Sequence, residues 1–242
     1  MIGKTEQQDG EANHTLPMRG VAQPSREEAL ALSGVRVVSH PLIAHKLTAL
    51  RDRTTPPERF ATLTRELGAL MAYEAMADLE LEPAPIETPL ESMIGARLTG
   101  EVVIAPVLRA GLGMAEGFRQ TLPEARVAHI GLRRDETTLH PVAYYQNLEH
   151  LQRGGRIHAS FMLDPMLATG GSAIDTLALL KRYGARGLRL VSLIAAPYGL
   201  MAVRREHPDV PIIVAAVDDH LDERGYICPG LGDAGDRQFN TL

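Results

Sequence analysis

The chain has 242 residues, 45% hydrophobic and 23% charged, an ordinary globular balance that can bury the core of one large domain. Its net charge of −5 argues against a generally basic, nucleic-acid-coating protein but leaves room for a local basic pocket. The single cysteine, Cys228, excludes an internal disulfide, and no apolar run is long enough to span a membrane. The first twenty residues, MIGKTEQQDGEANHTLPMRG, lack the charged-then-apolar layout of a secretory signal. These features indicate a cytoplasmic protein with no membrane and no nucleic-acid partner.

Residues 1–33 are polar, with scattered Gly and Pro, and read as a mobile N-terminal extension. One short helix is expected there, where Ser25 and Glu28 have capping-box spacing. Residues 34–242 read as a single domain, with no fixed-period repeat. HPLIAHKLTALRD (40–52) fits a short helix opening at Pro41. A long amphipathic helix is expected next, with Thr55 as N-cap candidate and Phe60, Leu63, Leu67, Leu70 and Met71 at helical spacing, ending near Leu79. That helix could pack on its own domain or form a subunit contact.

From Glu101 the pattern becomes short apolar runs alternating with helical segments. EVVIAPVL (101–108), ARVAHIGL (125–132), RIHASFML (156–163), LRLVSLIAA (188–196) and VPIIVAAV (210–217) read as buried strands. Helical patterns lie near 114–120, 172–183 and 199–206. The order predicts an α/β fold with a mainly parallel sheet flanked by helices. Ligands of such sheets bind beyond the carboxyl ends of the strands, so the residues after each run matter most.

After the first run, LRAGLGM places Arg109 beside Gly111 and Gly113. Glycines there let backbone approach a ligand and the arginine supplies a fixed cation, although on this stretch alone a tight turn with a surface arginine is the preferred reading. After the second run comes a long polar segment, 133–150, with Arg133, Arg134 and the pair Tyr144-Tyr145. It fits a lid or β-ribbon over a site, or a solvated connection whose arginines pair with Asp135 and Glu136.

The third run gives the strongest signal, FMLDPMLATGGSA (161–173). Asp164 ends the apolar run, so its carboxylate stands at the open edge of the sheet. Ala168, Thr169, Gly170, Gly171 and Ser172 then lead into a helix with Ile174, Leu177 and Leu180 on one face. Backbone N–H groups at such a turn suit a phosphate, with the Thr169 and Ser172 hydroxyls as further donors. A carboxylate is unsuited to phosphate but suited to sugar hydroxyls, and the two together describe a ribose 5-phosphate site. The last stretch, GYICPGLGDAGDRQF (225–239), is too rich in Gly to be regular throughout. Tyr226, Ile227 and Phe239 act as apolar anchors, and a shaped backbone there can hydrogen-bond a flat heterocycle, with Asp233 adding a carboxylate.

DPMLATGGSA resembles the 5-phosphoribosyl-1-pyrophosphate (PRPP) loop of the uracil phosphoribosyltransferases, within the type I phosphoribosyltransferase fold. HPLIAHKL, LRAGLGM and GYICPGLGDAGD are also similar to that family's segments, in the right order, so the resemblance runs from His40 to Leu242. It implies conversion of uracil and PRPP to UMP and diphosphate with Mg²⁺ as cofactor. It further implies a homodimer or higher homo-oligomer, and GTP as an effector in some members. Asp164, Pro165, Met166, Leu167, Ala168, Thr169, Gly170, Gly171 and Ser172 would form the PRPP loop. Arg109 and Arg134 would hold the diphosphate, under a flexible β-ribbon arm over 133–150. Tyr226, Ile227, Gly232, Asp233 and Ala234 would contact uracil, with Asp233 also near PRPP or reaching the metal through water.

Some residues depart from the wider pattern. Asp164 is followed by Pro165 rather than a second acid, a feature of the uracil branch, and His140 and Ala143 stand where the arm was expected to carry a carboxylate and a proline. The competing reading, an RNA-binding regulator on the same fold, would need a basic face and paired acids in the loop. A third reading, a catalytically silent nucleotide binder, is opposed by the presence of Asp164, Arg109 and Arg134.

Overall fold

The computed structural model describes residues 20–134, 141–152 and 155–241, with the side chains of 132–134, 141–143 and 150 outside that description. In chain order the elements are α1 (Arg26–Leu30), β1 (Val35–Val37), α2 (Pro41–Arg51), α3 (Pro57–Ala75), β2 (Leu81–Glu87), β3 (Ser92–Leu98), β4 (Glu101–Leu108) and α4 (Gly111–Thr121). They continue with β5 (Arg126–Val127), β6 (Ile130–Arg134), β7 (Pro141–Gln146), β8 (Ile157–Leu163), β9 (Met166–Leu167) and α5 (Gly171–Arg182). The chain closes with β10 (Leu188–Ala195), α6 (Pro197–Glu206), β11 (Ile212–Val217), β12 (His220–Leu221), β13 (Ile227–Cys228) and α7 (Ala234–Phe239).

The main sheet has the order β1-β11-β10-β8-β4-β6-β7, with β5 beside β4 and β9 beside β10. Every pairing in it is parallel except β6 with β7. The expected α/β architecture is therefore present, and its central strands are apolar on both faces for the expected reason: helices cover both. Val102, Ile104, Phe161, Val191 and Ile213 point into a core shared with α2, α3 and α4. Val103, Ala105, Met162, Leu190 and Val214 point into the opposite core, shared with α1, α5 and α6.

Three boundaries differ from expectation. The long helix starts on Pro56 as N-cap, without a side-chain cap, because the Thr55 hydroxyl instead donates to Ala49 O at 2.6 Å. It ends at Ala75 rather than Leu79, since the chain turns through Ala77 N–Glu74 O and Leu79 N–Met76 O bonds while Met76 and Leu79 keep packing on the core. The strand expected over 125–132 is broken into β5 and β6, and the break faces Ala105 and Pro106 of β4. Pro106 has no N–H to give the ladder at that point.

An antiparallel hairpin, β2–β3, was not foreseen. Pro83 and Pro85 argue against a strand in the sequence, yet β2 is an edge strand and the two prolines, two residues apart, point their nitrogens the same way, so both can face out of the ribbon without loss of pairing. Within the segment expected as an extension, Ser25 and Glu28 form the capping box of α1, and Ala29 is fully buried. Gln23 brackets Leu221 with both amide atoms at 2.7 Å, so the chain joins the domain well before residue 34.

The seam between α3 and α4 is closed by glycine. A Cβ on Gly117 would lie 2.2 Å from Arg65 O and 2.5 Å from Ala69 N, and one on Gly68 would lie 2.7 Å from Met114 O. Alanine at 117 favours the helix by about 0.5–1 kcal/mol over glycine, but the clash is with backbone and cannot be relieved by a rotamer change. Gly117→Ala is expected to destabilise the protein by about 1–3 kcal/mol net, read as a lower urea midpoint at unchanged slope.

Candidate active site

Parallel register brings two of the singled-out strand ends, those after β4 and β8, together. Pro106 of β4 pairs with Leu163 of β8, and Leu163 pairs with Val191 of β10, so Arg109 and Asp164 leave adjacent strands at the same edge. Gly111 packs directly against this edge: a Cβ there would stand 2.6 Å from Leu163 O. The Leu108–Arg109 peptide is cis.

The loop after β8 is held from behind. Asp164 N donates to Val191 O, Pro165 O accepts from both Leu193 N and Ile194 N, and Ala196 N donates to Leu167 O. Met166 and Leu167 thus run beside β10 as a short strand, and Pro165 and Leu167 are buried. Ala168 and Thr169 then turn the chain into Gly170, at φ +86°, the N-cap of α5. A left-handed residue is needed there, and Gly170 also lies against α6, where its Cβ would be 3.1 Å from Gly199 O. No side chain caps α5, so the amides of its first turn, from Gly171 and Ser172 onward, face the sheet edge without a protein acceptor of that kind. The helix dipole makes such an end receptive to an anion. Gly199 was not singled out in the sequence, yet its Cβ would come within 2.3 Å of Ala168 O, so the loop's path depends on it.

Asp164 is half-buried at the mouth of this loop and accepts one hydrogen bond, from Met166 N at 3.3 Å. Burial pushes its carboxyl up to about 6 from 3.8, with the single backbone donor opposing the shift.

Arg109 reaches across to the C-terminal segment. Its Nη2 donates to Asp236 Oδ1 at 3.0 Å, and its guanidinium lies 6.0 Å from the centre of the Phe239 ring. Its side chain is 54% exposed, so donors remain for a ligand. Phe239, expected as an apolar anchor, is an exposed platform beside that cation. Asp233 caps α7 by accepting from Asp236 N at 2.9 Å, and Gly235 lies against its carboxylate. Ile227 and Ala234 are buried in the core, Tyr226 is half-buried, and Gly232 is exposed at φ +77°.

The expected β-ribbon arm is present as the antiparallel pair β6–β7, running from Ile130↔Gln146 to Arg134↔Pro141. Arg134 ends β6; its side chain and that of Ala143 lie outside the described residues, as does His140. The Tyr144 ring covers Gly131, where a Cβ would meet it at 2.5 Å.

Residues 37–241 match the model of a family described as uracil phosphoribosyltransferase. The chain belongs to that family. The protein named uracil phosphoribosyltransferase from Salinibacter ruber is 48% identical over 210 residues, covering 87% of this chain and 99% of its own length. The one from Clostridium tetani is 52% identical over 211 residues, covering 87% and 100%. Among solved structures, the AQ2163 protein from Aquifex aeolicus superposes with a TM-score of 0.79 at 38% identity, covering 85% of this chain and 97% of its own. The family match begins inside β1, so α1 and the Gln23 contact lie outside it.

Asp164 gives a pH test of the site. The folded chain holds this proton more tightly than the unfolded one, so folding takes up a proton between about pH 4 and 6 and stability falls as pH rises through that window. Above it the destabilisation is complete. Asp164→Asn should therefore raise unfolding free energy at pH 7.5 by on the order of 1–3 kcal/mol, with no gain at pH 4, in paired urea titrations.

Proposed function

We propose that this member of the uracil phosphoribosyltransferase family transfers the 5-phosphoribosyl group of PRPP to uracil, giving UMP and diphosphate in pyrimidine salvage. The observation that carries the reading is the placement of Asp164, the uncapped start of α5 and Arg109 on one sheet edge, with Arg109 tied to the glycine-rich C-terminal segment. In this reading the 5-phosphate sits on the backbone from Ala168 to Ser172, and Asp164 accepts from ribose hydroxyls. Arg109 and Arg134 hold the diphosphate, and the backbone around Ile227 and Gly232–Ala234 reads uracil.

The C1–O bond to diphosphate breaks as C1–N1 forms; the electron pair leaves on diphosphate, and the N1 proton passes to that departing group or to solvent. The transition state is oxocarbenium-like and the departing group gathers negative charge, so arginines placed there stabilise it more than the ground state. The β6–β7 arm fits a cover that excludes water from the activated ribose. We assign no general base.

Mg²⁺ is a hard cation that takes oxygen ligands and keeps several waters. Among the described residues no group of three or more His, Cys, Asp or Glu comes together to hold an ion. Asp233 has one carboxylate oxygen engaged as a cap and Asp236 faces Arg109. The residues thus fit an ion carried on the substrate's diphosphate, with Asp233 reaching it through water; the ion would neutralise charge on that leaving group.

We also propose a homo-oligomer. The β2–β3 hairpin presents Leu81, Pro83, Pro85, Ile94 and Ala96 on one face, with Leu81 62% and Ile94 65% exposed and the tip residue Leu90 95% exposed. A lone two-stranded ribbon is marginal in water and gains from being covered. Its two prolines bar strand addition along the β2 edge, so a second copy would dock on the face. GTP as an effector rests on the resemblance alone; its test is a change in uracil turnover on adding GTP. A cytoplasmic location fits the single cysteine and the absence, among the described residues, of a helix long and apolar enough to cross a membrane.

The activity test is UMP formation from labelled uracil, PRPP and Mg²⁺, with cytosine and orotate in parallel. Uracil-only turnover is expected, and Arg109→Ala should lower kcat/KM by about 10²–10³-fold, the scale for losing one preorganised charge-stabilising donor. Saturable UMP binding without turnover of any base would instead indicate a sensor. For the oligomer, Ile94→Glu should lower the mass read by light scattering to that of a single chain; an unchanged mass would remove the hairpin from the interface.

A further inference from the structure

Two arginines outside the proposed substrate contacts fix the shape of the segment that would read the base. Arg51, the last residue of α2, binds Asp218 with both terminal nitrogens, at 2.7 and 2.5 Å. Asp218 follows β11 directly and is only 4% exposed. Arg51 Nη1, which also meets Asp218 Oδ2, donates to Gly230 O at 2.7 Å, while Gly230 N donates to Asp218 Oδ2 at 2.9 Å. Both polar groups of the Gly230 residue are therefore held by one ion pair, which closes a ring of three residues. Gly230 has φ +63°, and a Cβ on it would lie 2.0 Å from Ile227 O, so no other residue fits the turn. Asp219 N donates to Cys228 O at 3.0 Å, extending the closure by one residue.

The second arginine holds the segment from its other side. Arg237 donates to Leu231 O at 2.7 Å, and to Leu50 O at 2.9 Å and Asp52 O at 2.5 Å. Its guanidinium stacks over Phe60 at 4.5 Å. Leu50 and Asp52 flank Arg51, so both clamps anchor on the carboxyl end of α2. That end has backbone carbonyls without intrahelical donors, which an arginine can satisfy.

We infer that the Arg51–Asp218 pair is a positioning device for base recognition: it sets uracil affinity and selectivity by fixing the backbone from Ile227 to Gly232, while leaving the PRPP loop alone. The inference rests on the proposed uracil site. Recognition through backbone N–H and C=O groups is only as selective as that backbone is rigid, since a shift of about 1 Å can cost 10²-fold. Neither Arg51 nor Asp218 bonds any residue from Asp164 to Ser172, which has its own anchors on β10 and α6.

The test uses Asp218→Asn, which keeps shape and one acceptor, and Arg51→Lys, which keeps charge but loses the two-pronged grip. Steady-state KM values for uracil and PRPP are measured separately, with cytosine turnover and melting temperature alongside. The expected result is a rise of about 10–100-fold in KM for uracil, a weakened preference for uracil over cytosine, and KM for PRPP within about twofold. Equilibrium binding should agree, with UMP weakened and ribose 5-phosphate unchanged. Equal loss for both substrates, or a lower melting temperature with unchanged KM values, would overturn the inference and leave the proposed activity standing. A wild-type chain that turns over no uracil would remove both.

Discussion

Parallel pairing of β4 with β8, and of β8 with β10, is the constraint on which the functional end of this molecule depends. It obliges three consecutive sheet neighbours to end on the same edge, and the chain then spends that edge on polar residues: Arg109 after β4, Asp164 after β8. β11 adds Asp218 one strand further along. Antiparallel neighbours would have sent alternate ends to opposite sides. The apolar layers on both faces hold these strands rigid, so the polar groups beyond them are placed by the core rather than by their own contacts.

The edge divides into two kinds of polar surface. At the start of α5 the backbone itself is the donor array, shaped by Gly170 and kept close to α6 by Gly199. At the C-terminal segment the backbone is irregular between β13 and α7, where Arg51 meets Gly230 O and Arg237 meets Leu231 O. Arg109 joins the carboxyl end of β4 to the C-terminal segment through Asp236.

Much of the architecture was legible because apolar runs and proline positions act locally. Pro41 opened a helix as expected, the strand runs matched the central sheet, and Ser25 with Glu28 capped a short helix. Periodicity reports which face is buried, not where hydrogen bonding stops, which is why the α3 pattern outran its helix by four residues. The hairpin stayed hidden because Pro83 and Pro85 signal a break in any strand except an outer one, and sequence does not say which strand is outer. At the candidate site, Asp164 and the glycine-containing loop after β8 were visible as a polar stop after an apolar run. Asp218 ends VPIIVAAV in the same way and carried the same signal unread. Arg51 and Arg237 carried none: a lone arginine near a helix end looks like solvated surface until the fold shows which carbonyls it meets. Arg134 was singled out from the sequence, and its side chain lies outside the described residues.

The most direct test of the account is a crystal structure of the full chain with UMP. The account predicts the 5-phosphate on the amides from Ala168 to Ser172, the ribose hydroxyls on Asp164, and the uracil edge against the backbone of 227–234, with the Arg51–Asp218–Gly230 ring intact. A nucleotide bound away from the carboxyl edge of β4 and β8, or a uracil read by side chains from another element, would contradict it.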